Sequence, residues 1–291
     1  MTSASGQLFP GAPQDDYSAQ PARLRLAIEE VARDGWTVLP RQLSLASCRS
    51  MREAIPAIYE AEVKELGGED SMAKIADQGV CRSPFLRDDR FLEAIRLPDV
   101  IAIARYFLGP VVQMNLQRVV INAPGSRIGT GIWHRDHSYQ SFTTSKPVSL
   151  TALAMIDGST RQNGAPSVLS GSHRFENFPS FEYAQAKATP ALSDVGDVLL
   201  IDSALYHRTE MNSGPEARHT VVTIYTIPMI RQNVNYPRML AGRWADDPEL
   251  AQLLGYSTGL PESDLEYRRA KLNQGRRVAQ DRSVPPMPRK G

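Results

Sequence analysis

His134 and Asp136 stand two apart in Trp133-His134-Arg135-Asp136-His137, and in an extended segment side chains two apart project from one face. One imidazole and one carboxylate are thereby aimed at a common point. A third donor is expected from His207, at the end of the apolar run Leu199-Leu200-Ile201-Asp202-Ser203-Ala204-Leu205-Tyr206-His207. Two histidines and one carboxylate on one side of a metal, with the other positions open, form the facial triad of non-heme Fe(II) oxygen chemistry. Three protein donors would leave three places open on an octahedral ion.

A lone His-x-Asp is weak evidence, so the elements around it matter. Asn122 opens a Gly/Pro-rich loop running to Thr130, and reactive groups are often displayed where a rigid scaffold meets a loop. Arg218 follows His207 across the turn Ser213-Gly214-Pro215. Strand, turn and returning strand would bring it back beside the metal, where a buried cation requires an anionic partner. A carboxylate ligand would meet that need.

The scaffold changes character along the chain. Leu24, Ala27, Ile28 and Val31 recur at helical spacing up to Asp34-Gly35, and Trp36-Thr37-Val38-Leu39 reads as a short strand. Ser44 can cap a longer helix reaching Gly67-Gly68, with a break or kink expected at Pro56. Pro98 opens a third helix that Gly109-Pro110 ends. Beyond it the pattern becomes β, with strands expected at 111–122, 132–136, 148–156, 165–169, 198–202 and 219–227, then helices near 247–254 and 263–272. Short strands between turn signals predict a mainly β protein with flanking helices, a cupin-like jelly roll or double-stranded β-helix. The expected organisation is a flexible arm over 1–20, a single domain over 21–256 (helical 21–109, jelly-roll core 110–230) and a polar, basic segment over 257–291.

Composition narrows the partners. With 33 basic and 32 acidic residues among 291, no global charge favours nucleic acid or an anionic membrane. Cys48 and Cys81 form no CxxC or zinc-type spacing, which argues against a disulfide framework or a cysteine-rich metal site. The first residues lack a basic and apolar leader, no run approaches the ~20 apolar residues of a membrane span, and Pro288-Arg289-Lys290-Gly291 is not a peroxisomal address. A cytoplasmic protein is the expectation, with a small-molecule substrate. The basic stretch containing Arg268, Arg269, Lys271, Arg276 and Arg277 is read as a solvated tail or an oligomer contact, compatible with a homodimer.

Asp34-Gly35-Trp36-Thr37-Val38-Leu39, the His134 motif, Asn163-Gly164-Ala165-Pro166-Ser167-Val168-Leu169-Ser170-Gly171-Ser172-His173-Arg174 and Gly196-Asp197-Val198-Leu199-Leu200-Ile201-Asp202, followed by His207 and Arg218, together resemble the phytanoyl-CoA dioxygenase-like Fe(II)/2-oxoglutarate-dependent oxygenases. The likeness runs from about Asp34 to Tyr256, and Ser170 stands where the family usually has Pro. It implies iron held by His134, Asp136 and His207, and 2-oxoglutarate held at its far carboxylate by Arg218. The implied reaction consumes O2, releases CO2 and succinate, and hydroxylates, desaturates or epoxidises a small organic molecule. A secondary metabolite is the first expectation and an acyl thioester the second; a cupin-like isomerase or hydrolase is the competing class.

The near carboxylate of the cosubstrate is placed less firmly. Gln117 on the first core strand and Arg82 (with Gln78 as its competitor) are the candidates, while Thr151 and Leu153, on one face of the next strand, could wall the cosubstrate pocket. His137 and His219 adjoin motif residues and are expected to point away, although His137 could line the substrate entrance, while His173 reads as part of a structural turn. Trp133, Tyr139 and Tyr206 are candidates for an aromatic pocket wall.

Overall fold

The computed structural model describes residues 20–125, 131–137, 142–269 and 271–272. In chain order the first part contains α1 (Ala22–Asp34), β1 (Trp36–Leu39), α2 (Leu45–Leu66), α3 (Glu69–Lys74), β2 (Val80–Arg82) and α4 (Pro98–Leu108). The β-rich part follows with β3 (Gln113–Asn122), β4 (Ser149–Met155), β5 (Pro166–Val168), α5 (Phe181–Lys187), β6 (Thr189–Pro190), β7 (Val198–Asp202), β8 (His207–Thr209) and β9 (Arg218–Thr226), and α6 (Tyr236–Leu240) and α7 (Pro248–Leu253) close it. The chain divides into two compact units after Tyr256. In the second, a short helical stretch starts at Ser263, whose hydroxyl accepts from the Glu266 amide.

Two antiparallel sheets face each other as a jelly roll. The larger runs β1-β7-β4-β9-β3-β2 and the smaller β6-β5-β8. Because side chains alternate along a strand, each strand of the large sheet serves two environments. Leu150, Ala152 and Ala154 of β4, Val198 and Leu200 of β7, and Val221 and Tyr225 of β9 join Ile28, Ile55, Ile101 and Ile103 of the helices in one apolar cluster. The opposite parity, Leu153 and Met155, Leu199 and Ile201, Val222 and Ile224, joins Val168 of β5 in a second cluster between the sheets.

Local chemistry explains the helix ends. Gly35 closes α1 at φ 84°, and a Cβ there would abut the His173 ring at 2.5 Å. Ser44 Oγ accepts from the Ser47 amide to start α2, and Pro98 occupies the first turn of α4. The break expected at Pro56 does not occur: α2 is continuous through it. Pro56 lies on the exposed side, where the carbonyl left without its amide partner is open to solvent.

One expectation near the motif is corrected. Residues 132–136 form no strand; His134 makes only an isolated bridge with His207, exchanging both backbone hydrogen bonds, while the Asp136 amide donates to Ser203 O. The partner available to this stretch, β8, is only three residues long, too short to support a ladder along 132–136. The strand expected over 198–202 is β7, and His207 lies beyond it. Asp202 Oδ1 accepts from the Ala204 amide at 2.9 Å, a turn that ends β7 and carries the chain across, so that His207 opens β8 in the other sheet.

Candidate metal centre

The backbone bridge between His134 and His207 holds their rings side by side, with centroids 4.3 Å apart. Each Nδ1 faces a main-chain carbonyl two residues back: Ile132 O at 2.8 Å for His134 and Leu205 O at 3.0 Å for His207. A carbonyl can only accept, so Nδ1 carries the proton and each Nε2 presents a lone pair inward. His134 Nε2 is buried without a partner, and His207 Nε2 lies 3.8 Å from Asp136 Oδ1. Donor atoms of His134, Asp136 and His207 all fall within 4.8 Å of one another, and among the described residues this is the group able to hold a metal ion.

The electrostatics suit a cation. Burial, followed by the neighbouring His207, pushes His134 down to about 4, which keeps it neutral and able to bind metal near pH 7. Burial alone would raise the Asp136 carboxyl, but His207, Arg118, His134 and the Thr151 hydroxyl outweigh it and hold the group below its ordinary range. Two imidazoles with Nε2 turned inward, one of them orphaned, and one buried carboxylate are the donor set that a facially held Fe(II) requires.

The same cavity continues to Arg218, with Val120, Leu153 and Val222 among its walls. Arg218 is 2% exposed. Its guanidinium donates to Asn163 O at 3.2 Å, Gly164 O at 3.1 Å and Thr220 Oγ1 at 2.5 Å, all neutral oxygens, and burial pushes its pKa down to about 10. A cation so placed is set to receive a carboxylate. Gly164 makes the arrangement possible: at φ 76° it lies so close to Glu210 O and the Asn122 amide that a Cβ would collide with both.

The other predicted contacts are distributed differently. Gln117 faces the helices, donating to Phe91 O at 3.0 Å, because it has the parity of Val119 rather than that of the cavity. Arg82 lies on β2 at the sheet edge, tied to Asp77 at 2.5 Å and outside the cavity lining; Gln78 is exposed before β2. Thr151 does line the cavity beside Leu153, but its hydroxyl donates to Asp136 Oδ2 at 2.5 Å.

The residue that sequence reasoning missed is Arg118, which lines the cavity 3.7 Å from Asp136 Oδ1 and whose Nε is buried without a partner. The signal was available in the strand pairing. Arg218 pairs with Asn122 and Val222 with Arg118, and directly paired residues share a face.

His137 is buried and hydrogen-bonded to Ser149 Oγ at 2.9 Å rather than lining an entrance. His219 pairs with Asp157 at 2.6 Å, and His173 is buried in a short helical turn. Trp133 and Tyr206 stack around Phe178 outside the cavity lining, and Tyr139 lies outside the described residues.

Residues 31–220 match the model of the phytanoyl-CoA dioxygenase (PhyH) family. The chain belongs to the phytanoyl-CoA dioxygenase family. It is accordingly a non-heme iron, 2-oxoglutarate-dependent oxygenase that uses O2. It is 25% identical over 209 residues to an uncharacterized protein of Mycobacterium tuberculosis (71% of this chain, 76% of that protein). It is 23% identical over 275 residues to the dioxygenase af480 of Aspergillus fumigatus (86% of each). Its fold is that of the non-heme monooxygenase ThoJ in its apo form, with a TM-score of 0.58 at 19% identity over 72% of this chain and 80% of that one. No helix among the described residues is long and apolar enough to cross a membrane.

Proposed function

We propose that His134, Asp136 and His207 hold Fe(II), that Arg218 holds the far carboxylate of 2-oxoglutarate, and that the enzyme hydroxylates a small organic molecule, with secondary metabolites the first class to test. The observation that carries this reading is a single cavity containing two inward Nε2 lone pairs, one buried carboxylate and a buried arginine bonded only to neutral oxygens. The dioxygenase among its relatives supports oxygen insertion.

When bound, iron, 2-oxoglutarate and O2 supply the oxidation of an unactivated C–H bond, with decarboxylation to succinate and CO2. The protein's part is binding, orientation and exclusion of water. Arg218 fixes one end of the cosubstrate. Arg118, in place of Gln117 and Arg82, offers a second cation beside Asp136 to an anionic group of cosubstrate or substrate. Val120, Leu153 and Val222 give that space apolar walls where water is disfavoured. We assign the catalytic domain to 21–256 and leave 257–291 outside the chemistry.

The test is a screen of small organic acids, amines and polycyclic metabolites for substrate-dependent succinate release, followed by product mass spectrometry. A gain of one oxygen is expected. Turnover of a substrate without consumption of 2-oxoglutarate would contradict the proposal.

A further inference from the structure

Asp136 lies in a stretch without a strand of its own, where the backbone is held by the His134 bridge and by the Asp136 amide on Ser203 O, and the carboxylate itself is left to side-chain partners. A line of buried hydroxyls supplies them. Thr151 Oγ1 meets Asp136 Oδ2 at 2.5 Å, Ser203 Oγ meets Thr151 Oγ1 at 2.8 Å, Ser149 Oγ meets Ser203 Oγ at 2.8 Å, and His137 Nε2 meets Ser149 Oγ at 2.9 Å. Ser149, Thr151 and Ser203 are each 1% exposed and His137 is 5% exposed.

Proton counting gives this line one direction. An ionised carboxylate only accepts, so the Thr151 proton goes to Asp136. The Thr151 oxygen must then accept from Ser203, whose only proton is thereby committed, and Ser203 accepts from Ser149. Tyr225 O, 3.0 Å from Ser149 Oγ, can only accept and shares that same proton. His137 therefore donates from Nε2. The line ties β4 and the end of β7 to the segment that carries two of the three proposed metal donors.

We propose that Thr151, Ser203, Ser149 and His137 are positioning residues that occupy Asp136 Oδ2 and so offer the metal Oδ1 alone. Oδ1 is the atom facing His207 Nε2 at 3.8 Å and Arg118 Nη2 at 3.7 Å. One-oxygen binding leaves three positions for a bidentate 2-oxo acid and O2, whereas a carboxylate free to bind through both oxygens would take one of them. The inference rests on the assignment of iron to this triad, and it changes the part expected of Thr151 from a cosubstrate contact to a holder of the ligand carboxylate.

The test uses the whole chain and two probes, Fe(II) alone under anaerobic conditions and then 2-oxoglutarate, read by metal titration and by the visible band of the chelated 2-oxo acid. Thr151→Val keeps the shape and removes the hydroxyl; loss of such a partner weakens metal binding about 10- to 100-fold, and the 2-oxoglutarate band should fall with it. Thr151→Ser should restore both. Ser203→Ala, one bond further from the metal, should give a smaller loss in the same direction, and it carries the test if Thr151→Val does not fold. Thermal unfolding of the metal-free variants separates positioning from a general loss of fold.

Native Fe(II) and 2-oxoglutarate affinities in Thr151→Val, or a Thr151→Ser variant as weak as Thr151→Val, would overturn the inference. A native protein that itself gives no band would overturn the iron assignment beneath it.

Discussion

The two faces of the large sheet are built from the same strands and do opposite work. On the helix side of β4, β7 and β9, Leu150, Ala152, Leu200, Val221 and Tyr225 belong to one apolar cluster. On the side facing the small sheet, Arg118, Thr151, Arg218 and Thr220 share the surface with Leu153 and Val222. Burying apolar area stabilises the fold, whereas burying Arg218 among neutral oxygens costs stability until an anion arrives. The difference teaches that stability and chemistry are assigned to alternate residues, so single substitutions can separate them.

The largest expected effect is on the cavity face. His207→Ala removes one of the three proposed donors; Fe(II) stoichiometry by metal analysis should fall to near zero with the protein still folded. Arg218→Ala comes next. Removing one partner of a buried, hydrogen-bonded charge pair costs about 2–5 kcal/mol, so 2-oxoglutarate should bind about 30-fold to a few thousand-fold more weakly, with Fe(II) affinity little changed. An unchanged cosubstrate affinity would show that Arg118 or another cation holds the far carboxylate.

On the helix face the pattern should reverse. Leu200 is fully buried in the apolar cluster, and truncating such a residue to Ala costs about 2–5 kcal/mol. Denaturant unfolding of Leu200→Ala should show that loss while Fe(II) affinity of the folded protein stays native. A collapse of metal affinity would mean that the faces are not separable.

A smaller effect follows from pH. Burial depresses His134 from the ordinary 6.5 to about 4, and depresses His137 and His173 in the same direction. A histidine depressed in the folded state contributes stability that is present above 6.5 and is lost as pH falls toward 4. Asp202, raised by burial from 3.8 to about 6, and Glu62, raised by burial from 4.5, act oppositely, but they are two groups against three. The melting temperature of the metal-free protein should therefore drop between pH 6.5 and 4. A rise over that window would contradict the burial of these imidazoles.

The smallest expected effect is none. In the proposed site Asp136 would hold the position on the metal that a halide would have to take. Turnover should not respond to chloride or bromide, and a halogen isotope pattern in the product would refute the assignment of Asp136.

Much of this site was legible because its signals are local. Spacing singled out His134 and Asp136, turn chemistry brought Arg218 back after Ser213-Gly214-Pro215, and Gly35, Ser44 and Pro98 marked helix ends where the structure has them. What escaped depends on pairing across the sheet. Arg118 and Gln117 are neighbours of opposite face, and only the register of β3 against β9 tells which one meets the cavity. The end of β7 at Asp202 was legible, but not that the turn after it carries His207 into the second sheet. The hydroxyl line from His137 to Asp136 joins residues from three separate stretches, and no local pattern announces it.

The central claim is that His134, Asp136 and His207 present one metal to 2-oxoglutarate held by Arg218. Its most direct test is an anaerobic titration of the Fe(II)-loaded protein with 2-oxoglutarate, followed in the visible range. A weak charge-transfer band that saturates with the cosubstrate in the native chain, needs far more of it in Arg218→Ala, and is missing in His207→Ala is the predicted result. A fully loaded native protein that shows no band would contradict the claim.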